Sequence, residues 1–308
     1  MNTHRKQRAS EWGWNRVGRG TGALLGAMFV ILSVLTVLPL TFVLIVSLSS
    51  EASIAARGYS FFPTAWSLDA YRYLLRSIDY IGHSFLLSVL LTLAGTLLSL
   101  ALISTMAFVL SRREFRFRKL FTALVLIPMF FSGGLTASYV VNTQLFGLKN
   151  TFWALLLPGA GSSWYILVMR TYFRQNIPRE ILESAQMDGA SILRIFFQFV
   201  IPLSRPILIT VGLFEGFGYW NSWYQAMLYI SANHRELFPL QYVLYSLQRN
   251  VEFMATNENI SGAVIGNLPT ETFRMAVVVL IVLPILLGYP FFRKAFLQGL
   301  TTAGALKE

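Results

Sequence analysis

Glu215 is the only acidic residue in the apolar stretch from Pro206 to Ile230. On a 3.6-residue period Tyr219 and Ser222 share its face, with Gly212 close by. A charged side chain in a membrane helix costs about 2.5–3.5 kcal/mol on insertion scales, so it faces a bundle interior or water. A carboxylate and two hydroxyls so arranged match the hydroxyls of a polar solute. They serve equally well as an interhelical hydrogen bond that fixes packing, and the spacing does not choose between the two.

A second group of chemistry-bearing residues lies just upstream, in Ile177-Pro-Arg-Glu-Ile-Leu-Glu-Ser-Ala-Gln-Met-Asp-Gly-Ala-Ser. Pro178 sits where a helix can begin, and Glu180 and Glu183 then fall one turn apart, with Ala185 as a flat neighbouring surface. Asp188-Gly189 stops the helix, because glycine accepts the left-handed conformation. A second amphipathic helix, about Ser191 to Val200, places Ile192, Ile195, Phe196 and Phe199 on one side, and Pro202 and Pro206 break it.

Other chemistry is absent from the sequence. With no cysteine there is no thiol nucleophile, disulfide or thiolate metal site. His4, His83 and His234 are scattered and form no H-E-x-x-H, and there is no G-x-S-x-G. No lysine follows the spacing of a phosphate-binding G-x-x-x-x-G-K-[ST] loop, so the chain does not hold nucleotide that way. We expect no catalytic residue, no metal and no cofactor; His83 reads as an interfacial side chain.

The elements that position these residues follow from composition. Hydrophobic residues make up 55% of the 308 and charged residues only 13%, against roughly a quarter charged in soluble domains. Six stretches approach the roughly 20 apolar residues a membrane helix needs. They run from Ala23 to Leu48, Ser84 to Leu110, Leu120 to Val141, Thr151 to Met169, Pro206 to Ile230 and Met275 to Phe292. Prolines 39, 128, 284 and 290 and the Ser132-Gly133-Gly134 cluster lie inside them, as membrane helices tolerate. The first stretch is uncharged from Gly20 to Ser50, too long for the 7–15-residue core of a signal peptide, and reads as a retained span.

The 25 Lys and Arg against 14 Asp and Glu do not indicate nucleic acid, because they cluster at the ends of apolar runs. With the N-terminus inside, Arg5, Lys6, Arg8, Arg16, Arg19, the Arg112–Lys119 cluster, Arg170, Arg174, Arg179, Arg194, Arg205, Arg293, Lys294 and Lys307 all lie inside. That imbalance puts both termini in the cytoplasm. The chain therefore reads as an all-α, multi-pass integral membrane protein with six transmembrane helices and a cytoplasmic helix-turn-helix loop. Its parts are a cytoplasmic segment 1–22, a membrane domain 23–293 and a cytoplasmic tail 294–308. Within the membrane domain lie the inner loop 171–205 and an outer loop 231–272, polar and turn-rich. No internal repeat is evident.

The inner loop resembles the EAA loop of ABC importer permeases, in the E-[AS]-A-x-x-D-G-A … P-L-x-x-P form of the sugar-importing family. Glu183, Ala185, Asp188, Gly189, Ala190, Pro202, Leu203 and Pro206 match it; Ser184 stands where Ala is usual and Phe199 where Ile is common. The segments Tyr219-Trp-Asn-Ser-Trp223, Leu268–Ala276 and Lys294–Lys307 resemble the maltose-type second permease, oligosaccharide and polysaccharide branch. The resemblance implies a prokaryotic cytoplasmic (inner) membrane protein that passes a sugar or oligosaccharide through the lipid bilayer by alternating access. It implies partnership with a second, homologous permease, two ATPase subunits and an extracytoplasmic sugar-binding protein. On this reading Glu180, Glu183, Ala185, Asp188, Gly189 and Ala190 couple to the ATPase, and Glu215, Tyr219 and Ser222 line the substrate pathway. The outer loop, with Asn233, Gln248, Asn250, Asn257 and Asn259, would meet the binding protein. The rival reading, a stand-alone ion-coupled secondary transporter, accounts for Glu215 but not for the loop, and leads one to expect repeats.

Overall fold

The computed structural model describes residues 19–76, 78–256 and 270–305. Every regular element among them is helical, apart from an isolated bridge between Ser49 and Trp66. The chain divides into two compact units, residues up to Tyr71 with Pro269–Val279, and Arg72–Leu268 with Leu280 onward.

The first unit contains α1 (Arg19–Ser47), α2 (Glu51–Arg57), the start of α3 (Asp69–Arg76) and the outer turns of α15 (Thr270–Ala305). Side chains of α1 from 20 to 41 are almost all exposed, which is the pattern of a helix solvated by lipid. Hydroxyls in its middle turns fold back on the helix: Ser33 donates to the Phe29 carbonyl, Thr36 to Ser33 and Thr41 to Leu38, so these groups do not face hydrocarbon unpaired. After α1, Ser50 caps α2 by accepting from Ser53 N. Glu51 then accepts three bonds from the start of α15, from the backbone N–H groups of Glu271 and Thr272 and from the Thr272 hydroxyl. A carboxylate there satisfies N–H groups that a helix start leaves orphaned and complements its dipole. Nearby, Tyr59 donates to Glu271 at 2.6 Å; burial, and then that bond, push its phenol above its ordinary pKa.

The second unit is organised on α4 (Ile78–Ser111), whose 34 residues span about 50 Å at 1.5 Å per residue. Against it pack α8 (Ser163–Asn176), α12 (Arg205–Trp220) and α14 (Leu240–Thr256). Among the described residues three helices are long and apolar enough to cross a membrane, or up to six if each of three bent pairs is one span. The third expected span, Leu120–Val141, is not one straight helix. It is α5 (Arg118–Phe130) followed by α6 (Gly134–Val140) with a π turn, bent by 119°. The break falls where Gly134 takes a φ of +80°, which a side chain would resist. The fourth pairs α7 (Phe152–Leu156) and its 3₁₀ extension with α8 at 48°.

The expected fifth span, Pro206–Ile230, also differs. α12 ends at Trp220, and α13 (Tyr224–Tyr229) follows a break at Asn221–Trp223. Upstream, the segment Ile192–Leu203 meets α12 at 82°, so when α12 crosses the bilayer that segment lies along its surface.

The outer stretch is more ordered than its polarity implied. A 3₁₀ turn (Arg235–Leu237) leads into α14, because Phe238, Leu240, Val243 and Leu247 bury a helical stripe against α4 and α7. Ser88 of α4 accepts from Leu240 N, and His83 bonds to the Glu236 carbonyl at 2.9 Å. Of the polar residues expected to meet a partner, Asn233 and Gln248 are exposed; Asn257 and Asn259 lie outside the described residues.

Candidate functional site

The inner loop is built by local chemistry. α9 (Arg179–Met187) starts after Pro178 and ends in a Schellman motif. Gly189 takes a φ of +79°, its N–H donates to the Gln186 carbonyl, and Ala190 N–H donates to Ala185. Ser191 then caps the next helix, α10 (Ile192–Ile195), which runs through a π turn into α11 (Ile201–Leu203).

The loop has two faces. Leu182 and Ala185 of α9 are buried with Ile195, Phe196 and Val200, against Phe108 and Leu110 of α4 and Phe173 and Ile177 at the end of α8. Glu180, Glu183, Met187, Asp188 and Gly189 are exposed, Met187 at 89%. Of the residues expected to couple to an ATPase, Ala185 therefore faces inward and offers no outer surface; it is small because it packs under the helix. Ala190 is half-buried on the same core. Ile192, expected on the apolar face, is exposed with Leu193 and Phe197; it is the first residue of α10, ahead of the turns in which Ile195, Phe196 and Val200 are buried.

The second candidate lies on α12. Glu215, Tyr219 and Ser222 line one cavity of about 190 Å³, together with Gly159, Gly218 and Gln225. The Ser99 hydroxyl of α4 stands 3.4 Å from the Tyr219 hydroxyl. Tyr219 OH donates to the Leu156 carbonyl at 2.9 Å, and Ser222 donates to Gln225. Glu215 and Tyr219 are each only 6% exposed. Gly212 does not join them; it lines a separate apolar groove with Leu100, Gly216 and Pro284. Trp220, a candidate for an interfacial aromatic belt, is buried and donates its indole N–H to the Ile281 carbonyl.

Two glycines that the sequence reading passed over seat Tyr219. A Cβ at Gly95 would lie 2.5 Å from its ring, and one at Gly159 would lie 3.2 Å from its hydroxyl. The small cluster Ala94-Gly95-Thr96 within the apolar run Leu90–Leu98 was the available signal, since such a position marks a close approach.

The geometry describes an integral membrane transport protein: apolar spans, a polar cavity within the second unit, and a docked loop with one exposed edge. The comparisons narrow this. The chain is 37% identical over 267 residues to Protein LplC of Bacillus subtilis (strain 168), covering 86% of this chain and 88% of that one. It is 37% identical over 277 residues to the polygalacturonan/rhamnogalacturonan transport system permease protein YtcP of the same organism, covering 90% and 94%. Among solved structures it resembles a crystal structure of a bacterial ABC transporter involved in the import of the acidic polysaccharide alginate, with a TM-score of 0.78 and 28% identity over 91% of this chain and 99% of that one. No family model matches the chain. The chain belongs to the sugar-transport permeases of the ABC importers. It is a non-catalytic subunit that works with ATPase and substrate-binding components, and ATP hydrolysis belongs to the separate ATPase. The stand-alone ion-coupled reading is not favoured.

Proposed function

We propose that this permease carries an acidic oligosaccharide, such as a short uronate chain, across the prokaryotic cytoplasmic (inner) membrane, paired with a second, homologous permease. Two likenesses support the substrate class, one to a polygalacturonan/rhamnogalacturonan permease and one to an alginate importer. Both termini are cytoplasmic on the positive-inside rule, with the membrane domain at 23–293 between segments 1–22 and 294–308.

The observation that carries the mechanism is the two-faced loop. Its exposed edge, Glu180, Glu183, Asp188 and Gly189, docks on the ATPase, while Ala185 and Ala190 fix it to the ends of α4 and α8. Closure of an ATPase dimer then moves loop and spans as one body, because a packed core transmits a displacement rather than absorbing it. Glu215 and Ser222 face the pathway and take up sugar hydroxyls, and Tyr219 forms its wall. Like-charge repulsion keeps Glu215 off the carboxylates of a uronate, so it binds hydroxyls only.

The test is uptake by cells lacking this chain and complemented with it, comparing an oligogalacturonate with a neutral oligosaccharide of the same length. Uptake of the acidic sugar that requires the ATPase subunit is expected. Preference for the neutral sugar overturns the substrate class. Because the sequence has no cysteine, single cysteines placed at Arg113 and Asn233 test the orientation by impermeant labelling; labelling of the first from outside intact cells reverses it.

A further inference from the structure

At the inner end of the second unit, α4, α8 and α9 converge on a cleft of about 40 Å³. Arg112, Arg113, Arg174 and Arg179 line it, with Glu114 and Glu183 as the only carboxylates. Glu114 is engaged by Arg112 at 3.3 Å, and the Arg112 guanidinium also lies over the Phe108 ring. No described acid pairs Arg113, Arg174 or Arg179. Arg170, just inside, donates to the Leu110 carbonyl. Like charges so gathered are unfavourable unless an anion joins them.

The anion that suits this set is a phosphate group. Guanidinium forks match phosphate oxygens in paired, charge-assisted bonds. The cleft is little larger than one water's share of liquid volume, about 30 Å³, so it admits phosphate oxygens while the remainder of the group stands in its mouth. A few residues further along the chain from Glu114, Phe117 and Leu120 are exposed, at 55% and 56%. An aromatic and an aliphatic side chain flanking a basic cluster at the end of a span belong at the headgroup level of a bilayer.

We propose that this cleft binds the phosphate of an anionic phospholipid headgroup, which bridges α4 and α8 to α9 and so stiffens the loop that meets the ATPase. The lipid is then a structural element of the transmission path rather than a solvent for it. The inference rests on the inward orientation proposed above.

The test uses the whole transporter, this chain with its co-purified partners, in nanodiscs of phosphatidylcholine alone or with about one-third phosphatidylglycerol. Lipid retention is read by native mass spectrometry, which depends neither on sugar nor on orientation, so it fails or succeeds separately from the functional reading. The variant is Arg113→Gln with Arg174→Gln, both exposed side chains with no described packing role. Retention of phosphatidylglycerol is expected to fall about tenfold, as loss of two charge-assisted contacts implies. Its stimulation of binding-protein-dependent ATP hydrolysis is expected to vanish, and Arg113→Lys with Arg174→Lys to keep much of both. Unchanged retention in the glutamine variant overturns the site. Inorganic phosphate reproducing the stimulation in neutral nanodiscs overturns the lipid source. Loss of the ATPase subunit with lipid retention intact shows that the arginines serve acids of that partner, which also overturns it.

Discussion

The inner loop and the α12 cluster both carry acidic residues, yet they use them oppositely. In the loop, the acids and the turn glycine stand outward and the alanines lie under them. In the cluster, the acid and the tyrosine are drawn inward, and the glycines that allow this sit on other elements, Gly95 on α4 and Gly159 before α8. A surface that must meet another protein is specified by short-range backbone chemistry. A polar group inside a membrane bundle is specified by what approaches it from far along the chain.

The sharpest way to break this comparison is Gly95→Leu. The ring of Tyr219 already lies 2.5 Å from where a Cβ would be, so the added side chain has no room and should cost about 3 kcal/mol or more. Recovery of assembled complex and its thermal midpoint should both drop. Adding Tyr219→Ala should restore part of the loss, because the two share one volume. A tolerated Gly95→Leu would show that α4 and α12 are not close-packed there.

Gly189→Val probes the loop in the same currency of backbone and space. Its φ of +79° costs a β-branched residue about 1–2 kcal/mol, but the turn is exposed, so the spans should insert and assemble normally. The expected result is ATP hydrolysis that no longer drives uptake, with Gly189→Asn much milder. Wild-type transport in the valine variant would remove the loop from the transmission path.

A smaller effect is expected for Glu215→Gln, which keeps the size and shape of the side chain and removes the acid. If the side chain faces the pathway, uptake per assembled complex falls while the yield of complex holds. Loss of assembly with normal uptake per surviving complex makes it a packing residue. Smallest is Tyr219→Phe, which deletes the donor to the Leu156 carbonyl. Hydrogen bonds inside membrane bundles average about 0.6 kcal/mol, with a maximum near 1.7. A midpoint shift of that order, with transport retained, places Tyr219 in the wall rather than in the binding set.

The two regions were unequally legible. The start of α9 after Pro178, its Gly189 stop and the spans of α1, α4 and α15 follow from proline, glycine and apolar run length, all of which act within a few residues. The inward turn of Ala185 was missed because small residues mark an open surface and a tight packing contact alike. The Ser132-Gly133-Gly134 cluster stands at the 119° break after α5, but membrane helices tolerate such residues, so composition did not give the bend. α14 was hidden in a stretch whose polar residues outnumber its buried stripe, and that stripe is held by partners far away in sequence, with the bonds of Ser88 and His83 beside it. Tyr219 was assigned to a helix face correctly, but its partners lie 63 and 120 positions away.

The bonds that Glu51 accepts from the start of α15 have a consequence for how the protein is made. Glu51 and Thr272 are 221 positions apart. At a synthesis rate of about 5–20 residues per second, α2 emerges roughly 10–45 s before the helix it caps exists. During that interval its carboxylate has no N-terminus to hold. A nascent chain interrupted before Thr270 never forms these bonds, and Glu51 is left with no helix start to cap.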